Sequence, residues 1–248
     1  MCSVVILRRP GDPWPMLFAA NRDEMNNRPW LPPGRHWSDR PGIVAGQDSL
    51  AGGSWLGLND HGLIAGIMNR MNSLGPLPGK RSRGELVLEA LDHADAREAA
   101  EALAALEPGA YRPFNLVLAD NRDALWLANL GDRIRLETIP PGFSMITAHD
   151  RNDAAHSRRI RHFLPLFESA SPPDPEDGNW RAWETLMASR QFAEDGSVYD
   201  AMTIVGKEGF ETLSSALIAL PAAGSERKPI WRFAAGRPDV TSYELVAI

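Results

Sequence analysis

The sequence has a single cysteine, and it stands at position 2, directly after the initiator methionine. Small side chains at the second position generally permit removal of that methionine, which would leave Cys2 carrying both a thiol and a free α-amine. The amine titrates at roughly 7.7 to 8.0 and a thiol at about 8.5, so at neutral pH the amine can accept the proton of the sulfur. The sequence therefore predicts that Cys2 is a nucleophile activated by its own amine.

The segment after Cys2 has the pattern of a β-hairpin. Residues 3–8 are rich in β-branched side chains, residues 10–13 read Pro-Gly-Asp-Pro, and residues 16–20 are again apolar. If the turn centres on its glycine, antiparallel partners have numbers that sum to about 23, give or take two. Cys2 then faces Asn21.

The two residues after Asn21 carry opposite charges and are predicted to lie beside the thiol. Arg22 would stabilise the thiolate, and Asp23 would accept a hydrogen bond from the amine and orient it. The alternative is that Cys2 is a small buried apolar residue, with Arg22 and Asp23 forming an ordinary ion pair at the end of a strand.

The Asn-Arg-Asp-Glu run at residues 21–24, after a Met-Cys hairpin, resembles the signature of the NRDE family, whose eukaryotic members are called transport-and-Golgi-organisation proteins. Other stretches are similar to the same family as far as residue 90, and more loosely beyond it. They are Arg28-Pro29, Ala45 to Asp48, Gly52 to Gly57, Gly62 to Asn69, Ser82 to Val87 and Phe114 to Leu116.

This resemblance implies an α+β fold of the N-terminal-nucleophile (Ntn) hydrolase type, a layered αββα sandwich of two antiparallel sheets flanked by helices. Cysteine members of that wider class cleave non-peptide amides, including acylated penicillins, bile-salt conjugates and ceramides. The chain departs from the family at Leu213, where an arginine is expected, and at Ala148 to Arg151, where Ser-Asn and Trp-Pro-Lys are expected.

Four further polar or aromatic residues are candidates for the same site. Asn69 ends a predicted strand and could donate its amide to an oxyanion, although a strand-end turn residue is the alternative. Asn115 is a polar residue in an apolar strand, with a solvent-facing position as its alternative. The predicted substrate contacts are Asn21, Trp55, Asn115 and His149.

Composition excludes several other functions. The chain has 248 residues, 44% of them hydrophobic, which is enough for one domain over residues 1–248. A net charge of −6 argues against nonspecific nucleic-acid binding. Residues 75–82 fail the phosphate-loop pattern, and the histidines lack metal-ligand spacing, so we predict no cofactor and no metal.

No apolar run has the length of a signal peptide or a membrane span. We therefore expect a soluble, cytoplasmic protein without stable membrane insertion. The partner is predicted to be a small acyl or amide substrate, or an apolar ligand, and the oligomeric state is left open.

Periodicity predicts the remaining elements. Capping boxes at Ser82 and Asp95 open two helices, and a third helix is capped by Asp153, with Arg158, Arg159 and Arg161 on a solvated face. Residues 27–41 are predicted to be irregular. Strands are expected at 113–119, 125–130, 134–139 and 143–148 as one meander, and at 201–205, 212–220, 230–234 and 240–246.

Two functions follow from these features. The first is a cysteine-type Ntn hydrolase that acts on a non-peptide amide through an acyl-enzyme, with Cys2, Arg22, Asp23 and Asn69 as catalytic residues. The second is a non-catalytic carrier of an apolar ligand, either an acyl lipid or haem, since eukaryotic members of the resembled family are linked to lipid and haem trafficking. The leucine at position 213 favours the carrier, whereas the presence of Cys2, Arg22 and Asp23 favours the enzyme.

Overall fold

The computed structural model describes residues 2–248, so that Met1, and with it the predicted removal of Met1, lies outside the described residues. The four helices are α1 (Glu85–Leu91), α2 (Ala96–Ala104), α3 (Arg158–Ser169) and α4 (Arg181–Met187). The strands are β1 (Ser3–Arg8), β2 (Met16–Met25), β3 (Trp30–Gly34), β4 (Ile43–Asp48), β5 (Leu56–Asn59), β6 (Ile64–Asn69), β7 (Phe114–Ala119), β8 (Ala124–Asn129), β9 (Ile134–Thr138), β10 (Gly142–Ile146), β11 (Phe210–Leu220), β12 (Ile230–Ala234) and β13 (Glu244–Leu245).

The chain forms two compact units. The first unit consists of the residues up to Asn27 together with Pro141–Val246, and the second consists of Arg28–Pro140 with Ala247–Ile248. Each unit contains one antiparallel sheet and two of the helices, which agrees with the predicted α+β class.

The sheet of the first unit has six strands in the order β10-β1-β2-β11-β12-β13. The predicted hairpin forms its centre, with Ser3 opposite Asn21. This register differs by one residue from the predicted value and lies within the stated range. Strand β2 continues through residues 21–25, so the Asn-Arg-Asp-Glu run is part of a central strand between β1 and β11.

One face of this sheet carries the core of the first unit. There, helices α3 and α4 pack against side chains of β1, β2, β10 and β11. The largest buried side chains of these two helices are Phe163, Phe167 and Trp183. Because alternate strand residues point to opposite faces, Val5 and Leu17 face these helices. The helices therefore lie on the same side as the odd-numbered residues of β1.

The sheet of the second unit has seven strands that follow chain order from β3 to β9. One of its faces packs against α1 and α2, where Leu86, Leu103 and Leu116 are fully buried or nearly so. Among residues 2–248, no helix is long and apolar enough to cross a membrane.

Two predictions about the strands were wrong. The fourth strand of the predicted meander, β10, pairs with β1 and not with β9. It is separated from β9 by Pro140 and Pro141, which cannot donate ladder hydrogen bonds. The predicted irregular segment 27–41 contains β3, whose two prolines are tolerated because β3 is an edge strand of its sheet.

The last predicted strands are also shorter than expected. Residues 201–205 form no strand apart from an isolated bridge between Val205 and Glu211, and the segment 240–246 contains only the two-residue β13.

Of the three predicted helix caps, one was correct. Asp95 caps α2 by accepting a hydrogen bond from the amide of Glu98 at 2.8 Å. Helix α1 instead begins after Gly84, a residue without a side chain to cap it, while the hydroxyl of Ser82 accepts a hydrogen bond from the amide of Gly84 and the carboxylate of Glu85 accepts one from Tyr111. Helix α3 is capped by Ser157 and not by Asp153.

Candidate active site

The candidate nucleophile Cys2 lies just before β1, next to the paired residues Ser3 and Asn21. Its side chain is half-buried, and its Sγ atom donates a hydrogen bond to the backbone carbonyl of Asp23 at 3.7 Å. The pairing of β1 with β2 therefore brings the thiol to the Arg22–Asp23 step, as the hairpin pattern predicts.

The carboxylate of Asp23 is completely buried, with 0% of its side chain exposed. The hydroxyl of Thr212 in β11 donates to its Oδ1 atom at 2.6 Å, and the guanidinium of Arg159 in α3 donates to its Oδ2 atom at 3.1 Å. Burial of a carboxylate costs several kcal/mol, roughly, unless it is paired and hydrogen-bonded, so these two contacts stabilise a charge next to the thiol.

Arg159 connects α3 to the start of β1. Only 3% of its side chain is exposed, and it donates to the Ser3 hydroxyl through Nη1 and to the carbonyl of Tyr199 through Nη2 at 2.9 Å. Its guanidinium thus holds Asp23, Ser3 and the 198–200 turn together.

The prediction that Arg159 lies on a solvated face was wrong. Arg158 and Arg161 do lie on the surface, where both pair with Asp195. Arg159 occupies the position four residues before Phe163, on the buried face of α3. Positions four apart share one face of a helix, so this spacing is the signal in the sequence that separates Arg159 from its neighbours.

The pKa of the Cys2 thiol is raised above its ordinary value. Burial is the main cause, and the negative charge of Asp23 is the second. The guanidinium of Arg22 acts in the opposite, predicted direction but contributes less. In the chain described here the resting thiol is therefore protonated at neutral pH.

Leu213 occupies the position where the resembled family is expected to have an arginine. Leu213 is the extra residue of a β-bulge in β11, because Thr212 pairs with Asp23 while Ser214 pairs with Arg22. Leu213 is buried, so an apolar side chain lies in the strand that borders the Arg22–Asp23 step.

Two predicted substrate contacts belong to the first unit. The amide nitrogen of Asn21 donates to the carbonyls of Met187 and Met202, at 3.0 and 2.8 Å, and so ties β2 to the end of α4. His149 follows β10, and its ring stacks on that of His156 with centroids 6.4 Å apart. Their substrate roles remain predictions.

Three predicted site residues belong to the second unit. Asn69 ends β6 and is half-buried. The ring of Trp55 packs over Gly46 and against the edge of Trp30, with ring centroids 5.7 Å apart. A catalytic role for Asn69 and a substrate role for Trp55 remain predictions.

Asn115, the third of these, is fully buried, which excludes the solvent-facing alternative. Its carbonyl oxygen accepts hydrogen bonds from Arg70 at 2.7 Å and from the indole of Trp126 at 3.1 Å. The partners of its carbonyl oxygen are therefore supplied within its own unit, and its substrate role also remains a prediction.

A surface pocket of about 350 Å³ in the first unit lies at the turn end of the β1–β2 hairpin. It is lined by Arg9, Trp14 and residues 172–176, and it contains none of the predicted site residues.

In the part of the chain from residue 2 onward, no group of three His, Cys, Asp or Glu side chains is placed to hold a metal ion.

Comparison with known proteins gives a family match over most of the chain. The family model described as Transport and Golgi organisation 2 matches residues 1–223. The mouse protein Transport and Golgi organization 2 homolog is 32% identical over 108 residues, which is 42% of this chain. The aligned segment spans only 38% of the mouse protein.

The fold is similar to that of several amide hydrolases of solved structure. The Caenorhabditis elegans ortholog of N-acylethanolamine-hydrolyzing acid amidase matches with a TM-score of 0.58 at 12% identity, over 99% of this chain and 100% of that chain. Penicillin V acylase from Agrobacterium tumefaciens matches with 0.55 at 13% identity, over 94% and 83%. A variant of conjugated bile acid hydrolase from Clostridium perfringens matches with 0.55 at 10% identity, over 100% and 97%. The fold class is thus that of the Ntn hydrolases, as predicted.

Proposed function

The chain belongs to the Transport and Golgi organisation 2 family, and from that premise we propose that it is a cysteine-type Ntn hydrolase of non-peptide amides. The observation that carries this proposal is the contact of the Cys2 thiol with Asp23, whose buried carboxylate is held by Arg159 and Thr212. The likeness to amide hydrolases supports it at the level of the fold.

In the proposed reaction, removal of Met1 leaves Cys2 with a free α-amine. The amine accepts the thiol proton, and the sulfur forms a bond to the carbonyl carbon of the amide. When the C–N bond breaks, the same proton goes to the departing amine, which leaves a thioester on Cys2. Water then hydrolyses the thioester and returns the thiol.

The surrounding charges have distinct roles in this proposal. The carboxylate of Asp23 favours the protonated form of the amine, and Arg22 favours the thiolate. Because Thr212 and Arg159 fix the carboxylate of Asp23, little reorganisation is needed when charge develops at Cys2. Asn69 is retained as the predicted oxyanion donor.

A second candidate, a carrier of an acyl lipid or another apolar ligand, is favoured by two observations. In the chain that keeps Met1 the thiol pKa is raised, which disfavours the nucleophilic form, and the expected arginine is replaced by the buried Leu213. A carrier would bind the acyl group without forming a thioester.

The mass of the intact protein, with and without a thiol-reactive acylating probe, separates the two candidates. Because Cys2 is the only cysteine, every thioester adduct reports on it. The hydrolase should lack Met1, acquire one acyl group from an amide or thioester substrate, and lose that group with time. The matched control is Cys2→Ala, which should acquire none.

A purified protein that retains Met1 would contradict the hydrolase, because the amine would then be on the wrong residue. Stoichiometric binding of a long-chain acyl compound by both the native protein and Cys2→Ala, with no adduct in either, would establish the carrier.

A further inference from the structure

The loop between β6 and α1 exposes three large apolar side chains. Met71, Leu74 and Leu77 have 46%, 49% and 47% of their surface exposed. We call residues 70–83 the apolar loop. Single exposed apolar residues are ordinary, but three on one short loop form a patch that indicates an interaction site.

The same loop is strongly basic in an otherwise acidic chain. It contains Arg70, Lys80, Arg81 and Arg83 and no aspartate or glutamate, although the whole chain has a net charge of −6. Arg70 and Arg83 are half-buried and hydrogen-bonded to Asn115 and Ser73. Lys80 and Arg81 are exposed, and Arg81 pairs with Glu85. A positive charge flanking an apolar tip is complementary to a surface that is apolar inside and anionic outside.

Arg112, a residue outside the apolar loop, hydrogen-bonds part of the loop backbone. The guanidinium of Arg112 donates to the carbonyls of Asn72 at 2.9 Å, of Gly75 at 3.1 Å and of Leu74. Residues 76 and 78 are prolines, which have no amide hydrogen to satisfy. These contacts hold the backbone of the loop tip in one arrangement, with the side chains of Leu74 and Leu77 exposed.

The base of the loop is fixed to the second unit. Ser73 is buried, and its hydroxyl oxygen lies 2.7 and 2.8 Å from the carbonyl oxygens of Arg70 and Pro113, one of which accepts its proton. Arg83 donates to the hydroxyl of Ser73 at 3.0 Å. The apolar side chains are thus presented by a loop with an ordered backbone, so little conformational entropy is lost when they are covered.

We propose that the apolar loop docks the protein peripherally on membranes that contain anionic lipids, with Leu74 and Leu77 entering the headgroup region and Lys80 and Arg81 contacting the headgroups. The predicted absence of stable insertion is consistent with this mode, because the contact is interfacial and reversible. The proposal does not depend on catalysis by Cys2.

Co-sedimentation of the full chain with vesicles tests this proposal. We expect binding to phosphatidylcholine vesicles that contain phosphatidylserine, weaker binding to pure phosphatidylcholine, and a decrease as salt is raised. The double variant Leu74→Asp, Leu77→Asp should lower the vesicle partition coefficient by about tenfold or more. Lys80→Glu with Arg81→Glu should abolish the preference for phosphatidylserine.

The matched control is Leu50→Asp, because Leu50 is a still more exposed leucine of the second unit that lies outside the apolar loop. It should bind vesicles as the native chain does. Circular dichroism should show that every variant is folded, since all the changed side chains are exposed.

Three results would overturn the proposal. They are the absence of binding to either kind of vesicle, equal binding by the Leu74, Leu77 variant and the native chain, and equal binding to neutral and anionic vesicles. Capture of a protein by the apolar loop without any vesicle binding would show that the patch is a protein interface instead.

Discussion

At the scale of single residues, the candidate site depends on a charge that is buried beside a thiol. The carboxylate of Asp23 is neutralised by Arg159 and hydrogen-bonded by Thr212, while its backbone carbonyl accepts the hydrogen bond of Cys2. Removing either charged partner leaves the other buried and unpaired, which costs more than the pair itself contributes.

We predict that Arg159→Met destabilises the protein by about 3–5 kcal/mol, because it leaves the carboxylate of Asp23 buried without its cation. Arg158→Met, the surface neighbour, should change the free energy of unfolding by less than about 0.5 kcal/mol. Urea denaturation measures both values.

The double variant Asp23→Asn, Arg159→Met should be less destabilised than the sum of the single variants, because neither charge is then left alone. Equal losses for the Arg158 and Arg159 variants, or strict additivity in the double variant, would contradict the buried pair.

The pH dependence of thiol alkylation is the second prediction. In a chain that keeps Met1, produced with methionine aminopeptidase inhibited, the rate of Cys2 alkylation should still be rising at pH above about 8.5, because burial and Asp23 favour the protonated thiol. The raised pKa also stabilises the fold below the ordinary thiol pKa, and that stabilisation is lost as the pH rises through the folded-state value.

The processed chain provides the comparison. If Cys2 carries a free α-amine, its alkylation rate should increase through neutral pH instead. A plateau below pH 8 in the chain that keeps Met1 would contradict the direction of the shift.

At the scale of elements, close backbone contacts determine where several segments can lie. Gly53 is one of them, since a Cβ atom there would be 2.4 Å from the carbonyl carbon of Gly84. The amide of Ser54 donates to the Gly84 carbonyl at 2.9 Å, so the segment before β5 directly contacts the start of α1. A glycine is required where two backbones approach this closely.

We predict that Gly53→Ala destabilises the protein by about 1–3 kcal/mol, because the backbone of Gly84 cannot rotate away from the added methyl group. The control is Gly109→Ala, where the nearest atom is a carboxylate oxygen of Glu107 at 3.3 Å, at the end of a flexible side chain. Thermal unfolding of the two variants should separate them clearly. Similar melting temperatures would show that the Gly53–Gly84 contact relaxes easily.

At the scale of the whole molecule, the first unit is discontinuous in sequence. Its central strands β1 and β2 come from the start of the chain, while β10 and β11 come from the residues after 140. The second unit is formed almost entirely by the chain between them. The sheet that carries Cys2 therefore cannot be completed until most of the chain has been made.

The predicted single domain is checked by calorimetry of the full chain. We expect one unfolding transition with a calorimetric enthalpy equal to the van't Hoff enthalpy, as for a cooperative domain. Two resolved transitions would show that the two units unfold independently, and would replace the single-domain prediction.

Much of the fold and part of the site could be predicted from local pattern. Two runs of β-branched and apolar residues around the Pro-Gly-Asp-Pro turn predicted the β1–β2 hairpin, and its register brought Cys2 to the Arg22–Asp23 step. These features are local, since strand period and turn chemistry are properties of neighbouring residues.

Long-range features required the tertiary structure. Both β9 and β1 offer β10 a strand edge with which to pair, so the choice between them is not a property of its own residues. The partners of the Asp23 carboxylate, Arg159 and Thr212, lie 136 and 189 residues away in sequence.

The sequence by itself determined the position of the only thiol, the charged pair beside it and the β-branched and apolar runs that form β1 and β2. Only the tertiary structure decided that Asp23 is buried and paired with Arg159, and that burial raises the pKa of Cys2. Residue order specifies local conformation and pattern, whereas the electrostatic environment of a group depends on which distant side chains remove it from water.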